Sequence, residues 1–180
     1  MKILVVVDMQ NDFIDGALGT PEAQAIVPKV KAKIEAARAN GDRIIFTRDT
    51  HDENYLNTME GKKLPIPHCI KDTYGWEISS ELCYNGFVID KKTFGSFYLA
   101  EELYDSYCLG QEEFNTNVEE IEFVGLCTDI CVISNVMMAK GYLPDMKITV
   151  DASCCAGVTP ESHKNALEAM KMCHIDIIGE

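Results

Sequence analysis

Apolar residues along this chain follow two periods, and the two alternate from one end to the other. Short runs, many of them continuous and β-branched, read as strands buried on both faces: "KILVVV" at the start, "RIIFT" (43–47), "GFVID" (86–90), "IEFVG" (121–125), "KITVD" (147–151) and "IDII" (175–178). Between them the period lengthens. Apolar positions at 26, 27, 30, 34 and 37 make one stripe of a helix over 21–40, with Gly41 as its stop. A short helix is predicted near 75–83, and another begins at "LAEELY" (99–104) and fades around Gly110. A further helix starts at Thr128 or Asp129 and ends at Gly141. The segment 159–173 is marked by Thr159 as N-cap, Pro160 in the first position and Glu161 near the positive end. This alternation predicts an α/β fold of three layers, α/β/α, with a six-stranded parallel sheet and helices on both faces. Size predicts one domain over residues 1–180. The stretch 48–74 lacks a clear period and is too long for an idle connection, so it reads as a functional loop.

Open parallel sheets bind ligands beyond the carboxyl ends of their strands, so those ends are where chemistry is expected. Strand one ends in Asp8 and strand two in Arg48-Asp49, with His51 just beyond. Strand three ends in Asp90-Lys91-Lys92, strand four in "GLCTDIC" and strand five in Asp151. Cys131 falls in the first turn of the next helix, where spare N–H groups and the helix dipole favour thiolate and suit an oxyanion. The spacing alone leaves Cys131 open between a nucleophile and a buried core cysteine; Cys127, on the turn, reads as a small packing residue. Asp8 is either a loop carboxylate or the base that takes the proton of a thiol. Lys91 or Lys92 could hold that carboxylate charged, or could simply cap a solvated turn. Asp49, His51 and His68 offer mixed oxygen and nitrogen ligands of the kind zinc, manganese or iron accept, and prolines flank His68 in "LPIPHC". His163 and His174 read as structural.

Charge and composition narrow the partners. The net charge is −13, with no basic stripe beyond the pairs Lys62-Lys63 and Lys91-Lys92, which argues against nucleic acid and anionic membrane surfaces. A small-molecule substrate fits better. The apolar run before Asp8 is too short for a signal-peptide core or a membrane span, so a cytoplasmic location is expected. There the eight cysteines should stay reduced, and none of them forms a CxxC pair.

Taken in order, these segments resemble the isochorismatase-like cysteine hydrolases, the superfamily that includes nicotinamidases. "VVVDMQNDF" is similar to the family's opening strand, "TRDTH" to its metal strand end, "PHC" to its second metal histidine, "GLCTDICV" to its nucleophile turn and "DASCCAGVTPESH" to its fifth strand and last helix. The resemblance implies a Rossmann-like fold and a triad of Asp8, Lys91 and Cys131. Lys91 is preferred over Lys92 because it stands six residues before Phe97 in "KKTFGSF", as the family lysine does before its phenylalanine. It further implies metal ligands at Asp49, His51 and His68 with Glu60 as a fourth, and Phe13 stacked on the substrate. A cis peptide at Leu126–Cys127 would aim the backbone N–H groups of Cys127 and Cys131 at an oxyanion. The implied activity is hydrolysis of a small amide through a thioester, nicotinamide to nicotinate and ammonia foremost, with a divalent metal, no organic cofactor and a homo-oligomeric state. The chain departs from the family's "WPPHC"-like stretch at "LPIPHC", which has Leu64-Pro65, one extra residue and no tryptophan. That keeps other small amides and carbamoyl compounds open, along with a non-enzymatic thiol or metal-binding module.

Overall fold

The computed structural model describes residues 1–112 and 117–180. Six strands join one parallel sheet: β1 (Lys2–Val7), β2 (Arg43–Asp49), β3 (Phe87–Lys91), β4 (Glu120–Leu126), β5 (Ile148–Ala156) and β6 (Asp176–Ile178). Their order across the sheet is β3-β2-β1-β4-β5-β6. The chain builds outward from β1 to β3, then returns to the other side of β1. The order in which strands are added therefore reverses between β1 and β4, which run parallel, and the crevice beyond their ends is where such sheets take ligands.

Helices cover both faces, as the alternating pattern predicts. The longer ones are α2 (Pro21–Asn40), α4 (Phe97–Glu112), α5 (Ile133–Tyr142) and α6 (Pro160–Met172); α1 (Asn11–Ile14) and α3 (Met59–Lys63) are single turns. Val30 and Ile34 of α2 pack with Leu4, Val6, Phe46 and Val124 on one face. Leu103, Val136 and Leu167, from α4, α5 and α6, pack with Ile3, Val5, Ile121 and Phe123 on the other. Successive strand residues thus feed opposite cores, which is why the strands are apolar throughout. Among the described residues, no helix is long and apolar enough to cross a membrane.

The local signals at helix ends hold for α2 and α6. Thr20 caps α2 by accepting from the Ala23 N–H, and Gly41 closes it with φ 73°. Thr159 and Ser162 form a reciprocal capping box at α6, with Pro160 in the first position. Elsewhere the structure differs from expectation. The region 75–83 is not one helix but two 3-10 turns, Tyr74–Trp76 and Ser80–Leu82. α4 runs past Gly110 to Glu112. β5 continues through "SCCA", so Asp151 lies mid-strand and not at a strand end.

Candidate active site

The loop after β4 carries the most unusual backbone. Gly125 has φ 118°, and a Cβ there would meet the Val7 carbonyl at 2.1 Å, so only glycine fits between β1 and β4. The Leu126–Cys127 peptide is cis, as the family resemblance implies. A five-residue π turn, Thr128–Val132, then leads into α5. Neither Thr128 nor Asp129 caps this helix, contrary to the helix start expected from sequence. Asp129 instead accepts the Val158 N–H at 3.1 Å, and Thr128 Oγ1 lies 2.7 Å from His163 Nδ1. Both side chains are drawn toward the start of α6. The wider π turn carries Cys131 inward, where it is 4% exposed.

Three predicted groups meet at the reversal point. Lys91 Nζ lies 2.7 Å from Asp8 Oδ2 and donates to Cys131 Sγ at 3.4 Å. Thr47 Oγ1 donates to Asp8 Oδ1 at 2.6 Å. Asp8 holds φ 47°, a left-handed conformation that aspartate tolerates better than most residues. All three groups are buried. Burial pushes the Asp8 carboxyl up against the pull of Lys91. Burial opposes the Lys91 charge, yet Asp8 and Cys131 raise its pKa on balance. The Cys131 thiol is also pushed well up, first by burial and then by Asp8. That reverses the thiolate expected from a helix start, because the dry setting and the neighbouring carboxylate outweigh the turn's dipole. Burial likewise pushes the Cys127 thiol up to about 12.

A second cluster adjoins the first through Lys91, whose Nζ is 3.5 Å from Asp49 Oδ1. Ligand atoms of Asp49, His51, Glu60 and His68 all lie within 4.8 Å of one another. His51 Nε2 and His68 Nε2 stand 2.9 and 3.6 Å from Asp49 Oδ2, and each is 3.7 Å from Glu60 Oε1. His68 Nδ1 bonds to the Ile66 carbonyl at 2.9 Å, which fixes the tautomer and leaves Nε2 with a free lone pair. His51 Nε2 is buried and, despite its approach to Asp49 Oδ2, makes no aligned hydrogen bond among the described residues. A buried ring nitrogen without an aligned donor or acceptor, facing two carboxylates, is the donor chemistry of a divalent-metal site. Burial works against the Asp49 carboxylate, but His51, His68 and Lys91 hold it well below the usual range. Glu60 goes the other way, pushed up by burial and by Asp49. Phe13 packs against His68 with ring centroids 5.5 Å apart, and Tyr55 packs against both histidines.

Sequence reasoning missed the residues that hold these groups in place. Gln10, fully buried, donates to the carbonyls of Asp49 and Trp76 at 2.8 and 2.7 Å and accepts the Asp49 N–H at 2.7 Å. Asn135 donates to the Cys131 carbonyl at 2.8 Å and accepts the Ser96 N–H at 2.9 Å, tying the thiol's turn to the loop after β3. A signal existed for each: a polar residue just past a buried strand, and a lone amide inside the apolar "VISNVMMA" four residues after Cys131. Asp90 pairs with Arg48 and Asp151 with Lys33, so neither joins the site, while Lys92 is exposed and only borders the cavity over Cys131.

A parallel α/β sheet with a buried thiol, carboxylate and lysine at its reversal point defines a class of hydrolase-like proteins, and comparison with known proteins narrows it. The isochorismatase domain model matches residues 2–179, so the chain belongs to the isochorismatase-domain family and is a hydrolase of that family. It is 25% identical to a nicotinamidase/pyrazinamidase of Mycobacterium tuberculosis, over 99% of this chain and 98% of the relative. It is 30% identical to a probable inactive nicotinamidase of Arabidopsis thaliana, over 93% of this chain and 87% of the relative. The crystal structure of a Pyrococcus horikoshii pyrazinamidase in complex with zinc superposes with a TM-score of 0.80 at 29% identity, covering 99% of each chain.

Proposed function

We propose that this chain hydrolyses a small carboxamide, with nicotinamide as the first candidate, through a thioester on Cys131. Relatives with active and inactive names are about equally similar, so relatedness alone does not carry the reading. The observation that does is Lys91 Nζ lying within 2.7 Å of Asp8 and 3.4 Å of the Cys131 sulfur, all three groups buried.

Burial favours the protonated form of Cys131, so its proton has to leave as the sulfur attacks the amide carbon. Asp8, made more basic by burial, accepts it. The backbone N–H groups of Cys127 and Cys131 hold the oxyanion, and Lys91 keeps positive charge beside the negative centre. Asp8 then gives the proton to the departing nitrogen, which leaves as ammonia. Water attacks the thioester as Asp8 takes one of its protons, and the proton returns to sulfur when the acid departs. Asp49, His51 and His68, with Glu60, would hold a divalent metal, which when bound supplies a Lewis-acid contact for a substrate heteroatom or water. Phe13 packs beside this cluster and faces the acyl ring.

The test is ammonia release from nicotinamide with reductant and added zinc, manganese or iron. Cys131→Ala should lower turnover on the order of 10⁴-fold or more, while Cys127→Ala keeps most of it. Equal residual activity in the two variants would remove Cys131 from its role.

A further inference from the structure

The cavity over Cys131 is larger and more apolar than one ring requires. It encloses about 640 Å³. That lies within the range, roughly 300–1,000 Å³, that buries drug-sized ligands, and a single-ring amide leaves most of it unfilled. Its polar groups are unevenly spread. Asp49, His68 and Cys131, at 3%, 2% and 4% exposure, form a dry polar floor. Toward the mouth Met59, Val158 and Phe94, at 70%, 53% and 45% exposure, form a solvent-facing apolar wall, with the exposed Lys63, Lys92 and Thr93 beside it. Large apolar side chains this exposed are scattered singly on most surfaces, but here three of them border one cavity that ends on a buried thiol. They come from three elements: α3, the loop after β3 and the loop before α6.

We propose that the site accepts carboxamides whose acyl group is an apolar body larger than one ring, the extra part lying against Met59, Phe94 and Val158. This rests on the amidase reading and sharpens its substrate class. The amide carbon sits over Cys131 at the floor, and the extension runs outward along the apolar wall. The wall also explains why Leu64, half-buried in the same lining, suits a wide cavity where a bulkier side chain would narrow it.

The test compares nicotinamide with its 5-phenyl and 6-phenyl derivatives by kcat/KM, and the three corresponding acids by calorimetry on the Cys131→Ala protein. At least one phenyl compound should exceed its unsubstituted parent tenfold or more in both measurements. In Met59→Asp/Val158→Asp, two exposed substitutions that leave the core intact, that ratio should fall at least tenfold. Phenyl compounds no better than their parents in both assays would overturn the inference, as would an unchanged ratio in the double variant. If a phenyl acid binds tenfold tighter yet no amide releases ammonia, the apolar wall stands and the amidase reading falls.

Discussion

At the amino edge of the sheet, Glu120 begins β4 between three partners: Lys2 at 2.7 Å, Lys147 at 3.2 Å and the Thr149 hydroxyl at 2.6 Å. At the carboxyl edge, Asp8 ends β1 with one lysine and one hydroxyl, sealed from water. Both carboxylates are buried and both have cationic partners, yet their proton affinities move in opposite directions. Burial works against the Glu120 charge, but its donors win and hold its pKa down at about 2. For Asp8 burial wins and the pKa rises. The lysines explain the difference: those at Glu120 are half-exposed and keep their hydration, whereas Lys91 is 1% exposed and shares its charge among Asp8, Asp49 and Cys131. One edge uses charge for cohesion. The other holds a carboxylate ready to take a proton.

The largest test of that contrast is Asp8→Asn. With the base gone, turnover should drop by about 10²–10⁴-fold, since general-base catalysis contributes on that order. The variant also leaves Lys91 buried beside a neutral amide, so thermal stability should fall by about 3 kcal/mol, the range seen when one partner of a buried pair is removed. Steady-state rates and melting curves on the same preparation check both. Retained turnover in a folded Asp8→Asn protein would place the base elsewhere.

Much of this arrangement was legible because buried parallel strands leave an unambiguous apolar signature. That signature located the strand ends, and the strand ends located Asp8, Asp49, Lys91 and the Cys127–Cys131 turn. It failed where side chains stop reporting burial by polarity. "SCCA" in β5 is small and mildly polar, so the strand looked finished at Asp151, a residue that in fact pairs with Lys33 at 2.7 Å away from the site. The π turn at Thr128–Val132 leaves no periodic trace, because one widened turn shifts the register by too little to see in five residues. The roles of Gln10 and Asn135 depend on carbonyls distant in sequence, such as that of Trp76, and no local pattern encodes such a partner. The direction of the Cys131 shift was misjudged for a related reason: helix polarity is visible in sequence, whereas the dryness of the pocket is a tertiary property.

Metal binding should give the next largest effect. His51 Nε2 makes no aligned hydrogen bond among the described residues, and a cation bound there with Asp49 and His68 would favour the folded state through linkage. At a free concentration one hundred times the dissociation constant, the gain is about 2.7 kcal/mol. Melting curves with zinc, manganese and iron should rise for the wild-type chain, fall back on chelation and stay flat for His51→Ala. An equal rise in His51→Ala would mean that the ions bind elsewhere, and the carboxyl edge would then lose its second cluster.

The smallest effect belongs to the amino edge and concerns stability alone. Glu120 has an ordinary pKa of 4.5 when unfolded and about 2 when folded. Its contribution is therefore complete above pH 4.5 and is lost as the pH falls toward 2. Because Lys2 and Lys147 are about half exposed, solvent screening reduces that contribution to about 1–2 kcal/mol. Glu120→Gln should lower stability by this amount at pH 7 and flatten the acid limb of the stability curve between pH 4.5 and 2. Turnover should stay at the wild-type level, since Glu120 stands at the opposite end of β4 from Cys127. Denaturant titrations across that pH range decide it: a variant as acid-sensitive as wild type would mean that Glu120 is not what the amino edge loses in acid, and that its lysine partners confer no cohesion.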